Sequence, residues 1–136
     1  MSDDYWHGGG AVYLCGYHLV WTTKYRRKLL FLEDMTIDGR LKELLKEKAD
    51  EHGWEIRALE TMADHVHMFV FAHQTNSPQY IANQFKGYTS RVLRDEFNIL
   101  MRRAPSLWTR SYFCATVGNV SALAIEHYIA NQRTSL

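Results

Sequence analysis

The sequence predicts an α+β fold in which a single antiparallel sheet carries helices on one face. Three observations favour this class. Short runs rich in β-branched and aromatic residues alternate with longer segments whose apolar residues recur at helical spacing. Turn residues such as Gly53 and Gly118 separate the runs. The 136 residues, 46% of them hydrophobic, can bury one core of ordinary size and are too few for two domains of typical length.

The first predicted elements are a strand at residues 11–22 and a helix that ends at residues 52–53. The strand is rich in β-branched and aromatic residues and is too apolar for an exposed helix. The helix is predicted because apolar residues recur between charged ones, namely Leu41, Leu44, Leu45 and Ala49. Thr36 or Asp38 is the expected N-cap.

Two further strands and a second helix follow. The runs at residues 54–62 and 66–72 are joined by Ala63, Asp64 and His65, which predicts adjacent antiparallel strands. The second helix is expected to start after Ser77, with Pro78 in its first turn, and to extend towards Phe97. Its apolar stripe consists of Ile81, Phe85, Tyr88, Val92 and Leu93. Basic residues are expected elsewhere on its surface: Lys86, Arg91 and Arg94.

The last elements complete a βαββαβ order with an added C-terminal helix. Residues 112–117 are predicted to form the fourth strand, and residues 121–132 a helix capped by Ser121. This order is the ferredoxin-like split βαβ arrangement, an antiparallel sheet with two helices on one face. The other face or an edge is then left for a ligand or partner. We expect one domain over residues 1–136, with residues 1–10 flexible.

Composition excludes a membrane protein and a disulfide framework. No apolar stretch approaches the roughly 18–20 residues that a spanning helix needs, and the N-terminus lacks the basic start of a signal peptide. Cys15 and Cys114 lie in apolar runs, where free cysteines behave as small buried hydrophobes. The sequence therefore predicts a soluble intracellular protein in a reducing compartment.

Charge is distributed unevenly although the formal net charge is only +1. Residues 33–60 are rich in acid, whereas residues 24–28 and 86–103 are basic. Nucleic acid would therefore meet a local basic patch. The alternative is that each of these runs is an ordinary solvated face.

His65 and His67 are separated by one residue. In an extended segment both side chains project from one face while Val66 points to the other. Two imidazoles on one face can chelate a divalent ion, but such a pair can also be structural, and a metal site needs a third ligand.

Tyr128 and Gln132 could complete such a site, because residues four apart share a helical face. A phenol and an amide oxygen could then approach the same ion and phosphate. The set suits phosphodiester transfer, in which a metal stabilises developing charge and a tyrosine with its pKa of about 10 lowered becomes the nucleophile. The alternative is that Tyr128 only packs the helix.

Several segments in this order resemble the small insertion-sequence transposases of the single-tyrosine HUH class, named for a His-hydrophobic-His motif. The resemblance covers nearly the whole chain. The segments are YHLVWTTKYRRK at residues 17–28, Asp64-His65-Val66-His67, FKGYTSR at residues 85–91, Leu107-Trp108, Val117-Gly118, and Tyr128-Ile129-Ala130-Asn131-Gln132.

The resemblance implies that His65, His67 and Gln132 bind Mg²⁺ or Mn²⁺, and that Tyr128 forms a 5′-phosphotyrosine with single-stranded DNA. It also implies a homodimer that binds hairpins near the element ends, in the cytoplasm of a prokaryotic cell and at the nucleoid when bound to DNA. Asp64 either orients a ligand histidine or caps a turn.

The expected DNA contacts combine cations that follow phosphates with rings that stack on unpaired bases. They are Lys24, Tyr25, Arg26, Arg27, Lys28, Lys86, Arg91 and Arg94. In the opposing interpretation, Tyr25 and Tyr88 pack into the core and the cations are merely solvated.

Two rival hypotheses remain at this point. A domesticated relative could process repeated palindromic elements of its host genome with the same chemistry, and only the genomic neighbourhood would tell it apart. A non-catalytic ferredoxin-like module could instead bind single-stranded nucleic acid through its basic and aromatic residues. The chain also stops soon after Gln132, whereas members of the resembling family often carry a longer tail.

Overall fold

The computed structural model describes residues 14–117. Within this range the sheet has four antiparallel strands in the order β2-β3-β1-β4. The strands are β1 (Leu14–Thr22), β2 (Glu55–Thr61), β3 (His65–His73) and β4 (Phe113–Val117). This is the predicted ferredoxin-like order, in which β3 lies between the two strands that flank the first helix. The predicted helix at residues 121–132 lies outside the described residues.

Both long helices pack on one face of the sheet. They are α1 (Thr36–His52) and α2 (Pro78–Glu96). Alternate residues of the central strands face them and are buried: Tyr17, Leu19, Trp21, Val66, Met68 and Val70. The helices contribute Leu41, Leu44, Leu45, Ile81, Phe85 and Leu93. We call the opposite surface of the sheet, which carries the intervening strand residues, the far face.

The ends of the helices match the predicted caps only in part. Ser77 caps α2 as predicted, since its Oγ accepts a hydrogen bond from the Tyr80 amide at 3.0 Å. The prediction for α1 was wrong, because its N-cap is Met35 and no side chain caps it. Asp38 is instead buried, and one of its carboxylate oxygens pairs with Lys42 at 3.4 Å.

A short third helix, α3 (Asn98–Arg103), was not predicted. Its side chains bury little, with Leu100 the only member in the core. A six-residue helix is too short to show a 3.6-residue period, so the sequence gives no signal for it. None of the helices in the described part of the chain is long and apolar enough to cross a membrane.

Gly16 on the far face of β1 permits the close packing of two rings of β3. A Cβ atom at Gly16 would lie 2.9 Å from a ring carbon of Phe69 and of Phe71, both of which are buried. Gly16→Ala is therefore expected to lower the free energy of unfolding by about 1–3 kcal/mol. Chemical denaturation measures this change.

Gly39→Ala in α1 is the matched control. Among residues 14–117, nothing lies within 4 Å of a Cβ built at Gly39. Alanine also costs less backbone entropy than glycine in a helix, so this variant should gain about 0.5–1 kcal/mol. If both variants shifted stability alike, the close approach at Gly16 would not be the cause.

Candidate active site

β3 presents two histidines on the far face of the sheet. His65 lies opposite Thr22 of β1 and His67 lies opposite Val20, while Val66 between them is fully buried on the helix side. The centroids of the two imidazoles are 4.9 Å apart. The predicted arrangement of the pair on one face is therefore present.

Asp64 holds the ring of His65. Its Oδ1 lies 2.7 Å from Nδ1 of His65, and because an ionised carboxylate can only accept, the imidazole N–H donates. Burial would raise the pKa of Asp64, but the hydrogen bond to His65 and the charges of His65 and Arg26 outweigh it and lower that pKa. In the neutral ring this bond places the proton on Nδ1 and the lone pair on Nε2, which is the arrangement of a metal-ligating histidine held by a carboxylate.

His67 is held in the neutral form. Burial lowers its pKa to about 4, with smaller contributions from the charges of His65 and His18. An imidazole must be neutral to bind a metal, so His67 is ready to do so at physiological pH. Its Nδ1 is buried, and no hydrogen-bond partner for it exists among residues 14–117.

His18 of β1 is a third histidine beside this pair. It lies opposite Phe69, and its ring centroid is 5.8 Å from that of His67. Burial lowers the pKa of His18 as well. Sequence reasoning did not assign His18 a role, because its approach to His67 depends on the pairing of β1 with β3, which no local pattern reveals.

The two ligand candidates fit part of a metal site. Imidazole nitrogens are common ligands for divalent ions, and both donors here face the same side. No group of three or more His, Cys, Asp or Glu side chains that could hold a metal exists within the described range. Further ligands would have to be water, substrate oxygens or a residue elsewhere in the chain. Tyr128 and Gln132, the predicted nucleophile and third ligand, lie outside the described residues.

Residues 24–28, here called the basic loop, adjoin the histidines. The loop follows β1 and contains a 3₁₀ turn at Lys24–Arg26. Its backbone is fixed on two sides, since the Thr23 amide donates to the Asp64 carbonyl and the Lys24 amide donates to the Leu107 carbonyl, both at 2.9 Å. Four of the five predicted DNA-contacting residues of the loop are exposed, and Lys24 is partly exposed.

Tyr25 projects from the basic loop with 67% of its surface exposed. Two cations flank its ring, with Lys24 Nζ 5.3 Å and the Arg27 guanidinium carbon 5.6 Å from the ring centroid. The interpretation that Tyr25 packs into the core is therefore wrong. An exposed ring with two cations near it is suited to stack on an unpaired base whose phosphates the cations follow.

The predicted DNA-contacting residues of α2 lie in the helical layer, not on the far face. Lys86 was expected on the surface, but it is 8% exposed and its Nζ donates to the Ser111 carbonyl at 3.1 Å. Burial lowers the pKa of Lys86. Arg91 is exposed, and Arg94 donates to the Ala104 carbonyl at 3.0 Å. Arg94 nevertheless approaches the basic loop, since Arg27 donates to the adjacent Arg103 carbonyl, whereas Lys86 is not available at the surface.

Tyr88 bridges the two helices. Its hydroxyl donates to a carboxylate oxygen of Glu47 in α1 at 2.7 Å. The Lys48 ammonium and the Arg91 guanidinium lie 4.7 Å and 5.5 Å from its ring centroid. Tyr88 is partly buried and packs against the core, so the interpretation that it is engaged within the protein holds for Tyr88.

A small cavity lies beside the histidines, where β4 separates from β1. Its volume is about 310 Å³, and its lining consists of Val20, Trp21, Thr22, Ser111, Tyr112 and Phe113. Val20 and Thr22 are paired with His67 and His65 across the β1–β3 ladder. The cavity is therefore lined by the direct cross-strand neighbours of the two histidines. The Phe113 ring is 57% exposed.

Comparison with known proteins places the chain in a class, the transposases. The family described as IS200-like transposases matches residues 11–132. The chain belongs to this family. It is 33% identical over 127 residues to the ISDra2 transposase TnpA of Deinococcus radiodurans, covering 92% of this chain and 89% of the relative. It is 31% identical over 120 residues to the transposase for insertion sequence element IS200 of Salmonella typhimurium, covering 87% and 76%.

Two solved structures share the fold. A putative transposase from Deinococcus radiodurans R1 aligns with a TM-score of 0.71 and 34% identity, covering 93% of this chain and 96% of that one. A REP-associated tyrosine transposase bound to a REP hairpin aligns with a TM-score of 0.68 over 89% of this chain and 67% of that one. At 11% identity, the second likeness concerns the fold alone.

Proposed function

We propose that this transposase cleaves and rejoins single-stranded DNA at insertion-sequence ends through a 5′-phosphotyrosine intermediate on Tyr128, in a metal-dependent reaction. The observation that carries the proposal is the pair His65 and His67 on one face, 4.9 Å apart, with Asp64 bonded to Nδ1 of His65. A structural pair would not require a carboxylate that leaves one ring nitrogen free for a ligand.

His65, His67 and Gln132 are the proposed ligands of Mg²⁺ or Mn²⁺. When bound, the ion would polarise a non-bridging phosphate oxygen and stabilise the charge that develops there. The protein contributes two imidazoles: that of His65 is held in orientation by Asp64, and that of His67 is kept unprotonated by burial. His67 therefore need not lose a proton at neutral pH before it can bind.

The proposed step is an in-line displacement at phosphorus. The Tyr128 oxygen forms a bond to the phosphorus and loses its proton to solvent or a neighbouring base. The bond from phosphorus to the 3′-oxygen breaks, and that oxygen takes a proton to become a free 3′-hydroxyl. Rejoining reverses the step with a different 3′-hydroxyl, so no nucleotide cofactor is needed.

The basic loop is the proposed contact for single-stranded DNA beside the histidines. Tyr25 offers an exposed ring, and Lys24 and Arg27 offer charge close to it. We propose hairpins near the element ends as the bound form of DNA, and a homodimer as the active assembly. The structural relative bound to a REP hairpin has the same fold, which is a reason to test hairpins first.

The test is an adduct assay on a denaturing gel. The protein is incubated with labelled single-stranded hairpin DNA from its own element ends, with Mn²⁺, Mg²⁺ or a chelator. We expect a covalent adduct and a free 3′-hydroxyl fragment only with metal present. The same sequence as a duplex should be a poor substrate, because the active site must reach an unpaired phosphate. A non-catalytic binding module would shift the hairpin on a native gel without forming an adduct.

A further inference from the structure

We propose that Arg26 is a positioning residue for His65, acting through Asp64, and that it differs in this from the other cations of the basic loop. The proposal rests on the proposed function in so far as His65 is a metal ligand. Arg26 and the consecutive residues Asp64 and His65, 38 positions later, form one chain of contacts. Nε of Arg26 donates to Oδ2 of Asp64 at 3.3 Å, and Oδ1 of Asp64 accepts from His65 at 2.7 Å.

Both oxygens of Asp64 are used, and each by a different neighbour. A carboxylate bonded at one oxygen can still rotate about its side-chain torsions, and the imidazole it holds would rotate with it. A second bond to the other oxygen removes that freedom. Arg26 therefore sets the plane of the carboxylate, and the carboxylate sets the ring of His65.

The main chain around Asp64 is already fixed, which leaves its side chain as the movable part. The Asp64 carbonyl accepts from the Thr23 amide at 2.9 Å. One residue earlier, the Ala63 carbonyl accepts from the Leu30 amide at 2.9 Å. The turn before β3 is thus tied to both ends of the basic loop, and Arg26 supplies the remaining side-chain constraint.

The backbone of the basic loop is strained at Tyr25 and Arg26, and this conformation directs the Arg26 side chain towards Asp64. Tyr25 and Arg26 have φ values of 58° and 53°, in the left-handed region that non-glycine residues rarely adopt. Such residues cost of order 1–3 kcal/mol each and persist where the surroundings hold them. Here the Arg26 amide donates to the Thr23 carbonyl at 2.9 Å, and the Thr23 hydroxyl donates to the Arg27 carbonyl at 2.6 Å.

The neighbouring cations point elsewhere. Lys24 and Arg27 flank the Tyr25 ring, and the Arg27 guanidinium also donates to the Arg103 carbonyl. Lys28 is exposed, and no ion pair of the described residues joins it to Asp64. Arg26 is therefore directed at the histidine site, whereas the other cations are directed at solvent, at the Tyr25 ring or, for Arg27, also at the Arg103 carbonyl.

Loss of the Arg26 side chain is expected to change metal binding at the histidine site and not the free energy of unfolding. Arg26 is 65% exposed on its side chain, and ion pairs at such positions contribute little to the free energy of unfolding. Partners that orient a metal ligand, in contrast, typically change metal affinity or activity by about 10–100-fold when removed. A positioning role and a merely structural one are therefore separable by experiment.

The test compares Arg26→Gln with Lys28→Gln, which remove the same charge from the same loop. Two measurements are made without DNA: Mn²⁺ affinity, by titration with the metal alone, and the tautomer of His65, by ¹⁵N NMR of the metal-free protein. Arg26→Gln should weaken Mn²⁺ binding about 10-fold and mix the tautomers of His65, with an unchanged unfolding midpoint. Lys28→Gln should leave both properties as in the wild type and weaken only DNA binding. Arg26→Lys should recover part of the affinity.

Equal Mn²⁺ affinity and a single His65 tautomer in Arg26→Gln would overturn the proposal and leave Arg26 as a phosphate contact like Lys28. The tautomer measurement needs neither metal nor DNA. If the wild type formed no DNA adduct, the proposed function would fail while the effect of Arg26 on His65 would still be decided.

Discussion

Replacing Tyr128 with Phe is expected to abolish the covalent adduct between protein and DNA and to lower cleavage by more than about 10³-fold. The change removes one oxygen and retains the ring, so packing is little disturbed while the nucleophile is lost. No other atom in the proposed reaction can take the place of this oxygen, because it forms the bond to phosphorus in the phosphotyrosine. The measurement is the yield of adduct and of 3′-hydroxyl fragment from end-labelled single-stranded DNA.

Tyr80→Phe is the matched control for this variant. Tyr80 is an exposed tyrosine on α2, 42% accessible, in the helical layer and not on the far face. It should form the adduct at the wild-type rate. Should Tyr128→Phe still yield an adduct, or should Tyr80→Phe lose it, Tyr128 would not be the nucleophile.

Replacing His67 with Ala is expected to lower cleavage by about 10²-fold or more while leaving hairpin binding nearly intact. The loss follows because bound metal contributes several kcal/mol of charge stabilisation in the transition state, at 1.36 kcal/mol per factor of ten. Binding should persist because the exposed cations and ring of the basic loop are separate from His67. Cleavage rates and a native-gel binding titration, measured on the same substrate, give the two values.

His73→Ala controls for the general effect of removing an imidazole from β3. His73 lies on the same strand and the same face, six residues along, which is about 20 Å at the rise of a strand. It is exposed, and its loss should leave cleavage and binding unchanged. If His67→Ala lost hairpin binding and cleavage in parallel, a structural role for the histidine pair would explain the data better.

The fold class was accessible from sequence because its signals are local. The stripe of Ile81, Phe85 and Leu93 and the cap at Ser77 each depend on a window of a few residues, and the structure confirms them. The alternation of His65, Val66 and His67 predicted which side chains share a face, and the register of β3 confirms that too.

Contacts between distant segments were not accessible. Lys86 is buried, and its ammonium donates to the carbonyl of Ser111, which is 25 residues later in the chain. Arg26 and Asp64 are 38 residues apart, so their ion pair requires the loop after β1 and the turn before β3 to be neighbours. The helix or strand propensity of one segment does not indicate which distant segment will pack against it.

The start of α1 at Met35 shows that an N-cap is hard to predict from sequence alone. Thr36 and Asp38 both have the chemistry of an N-cap, yet Asp38 is buried beside Lys42 and the helix begins after a left-handed residue. Several residues near a helix start can satisfy the same rule. The competing demand of the core decides among them, because Ile37 and Leu41 must face the sheet.

The irregular pairing of β2 has a consequence for variation in chain length. Ile56 pairs with Val70 and Ala58 with Phe69, so Arg57 is one residue more than the ladder needs. Deleting Arg57 would leave every other pair of the strand in place. A one-residue deletion at Leu59 could be absorbed in the same way, if Arg57 and Ala58 each moved one position along. We expect homologues to vary in length here without disturbing the strand that carries His65 and His67.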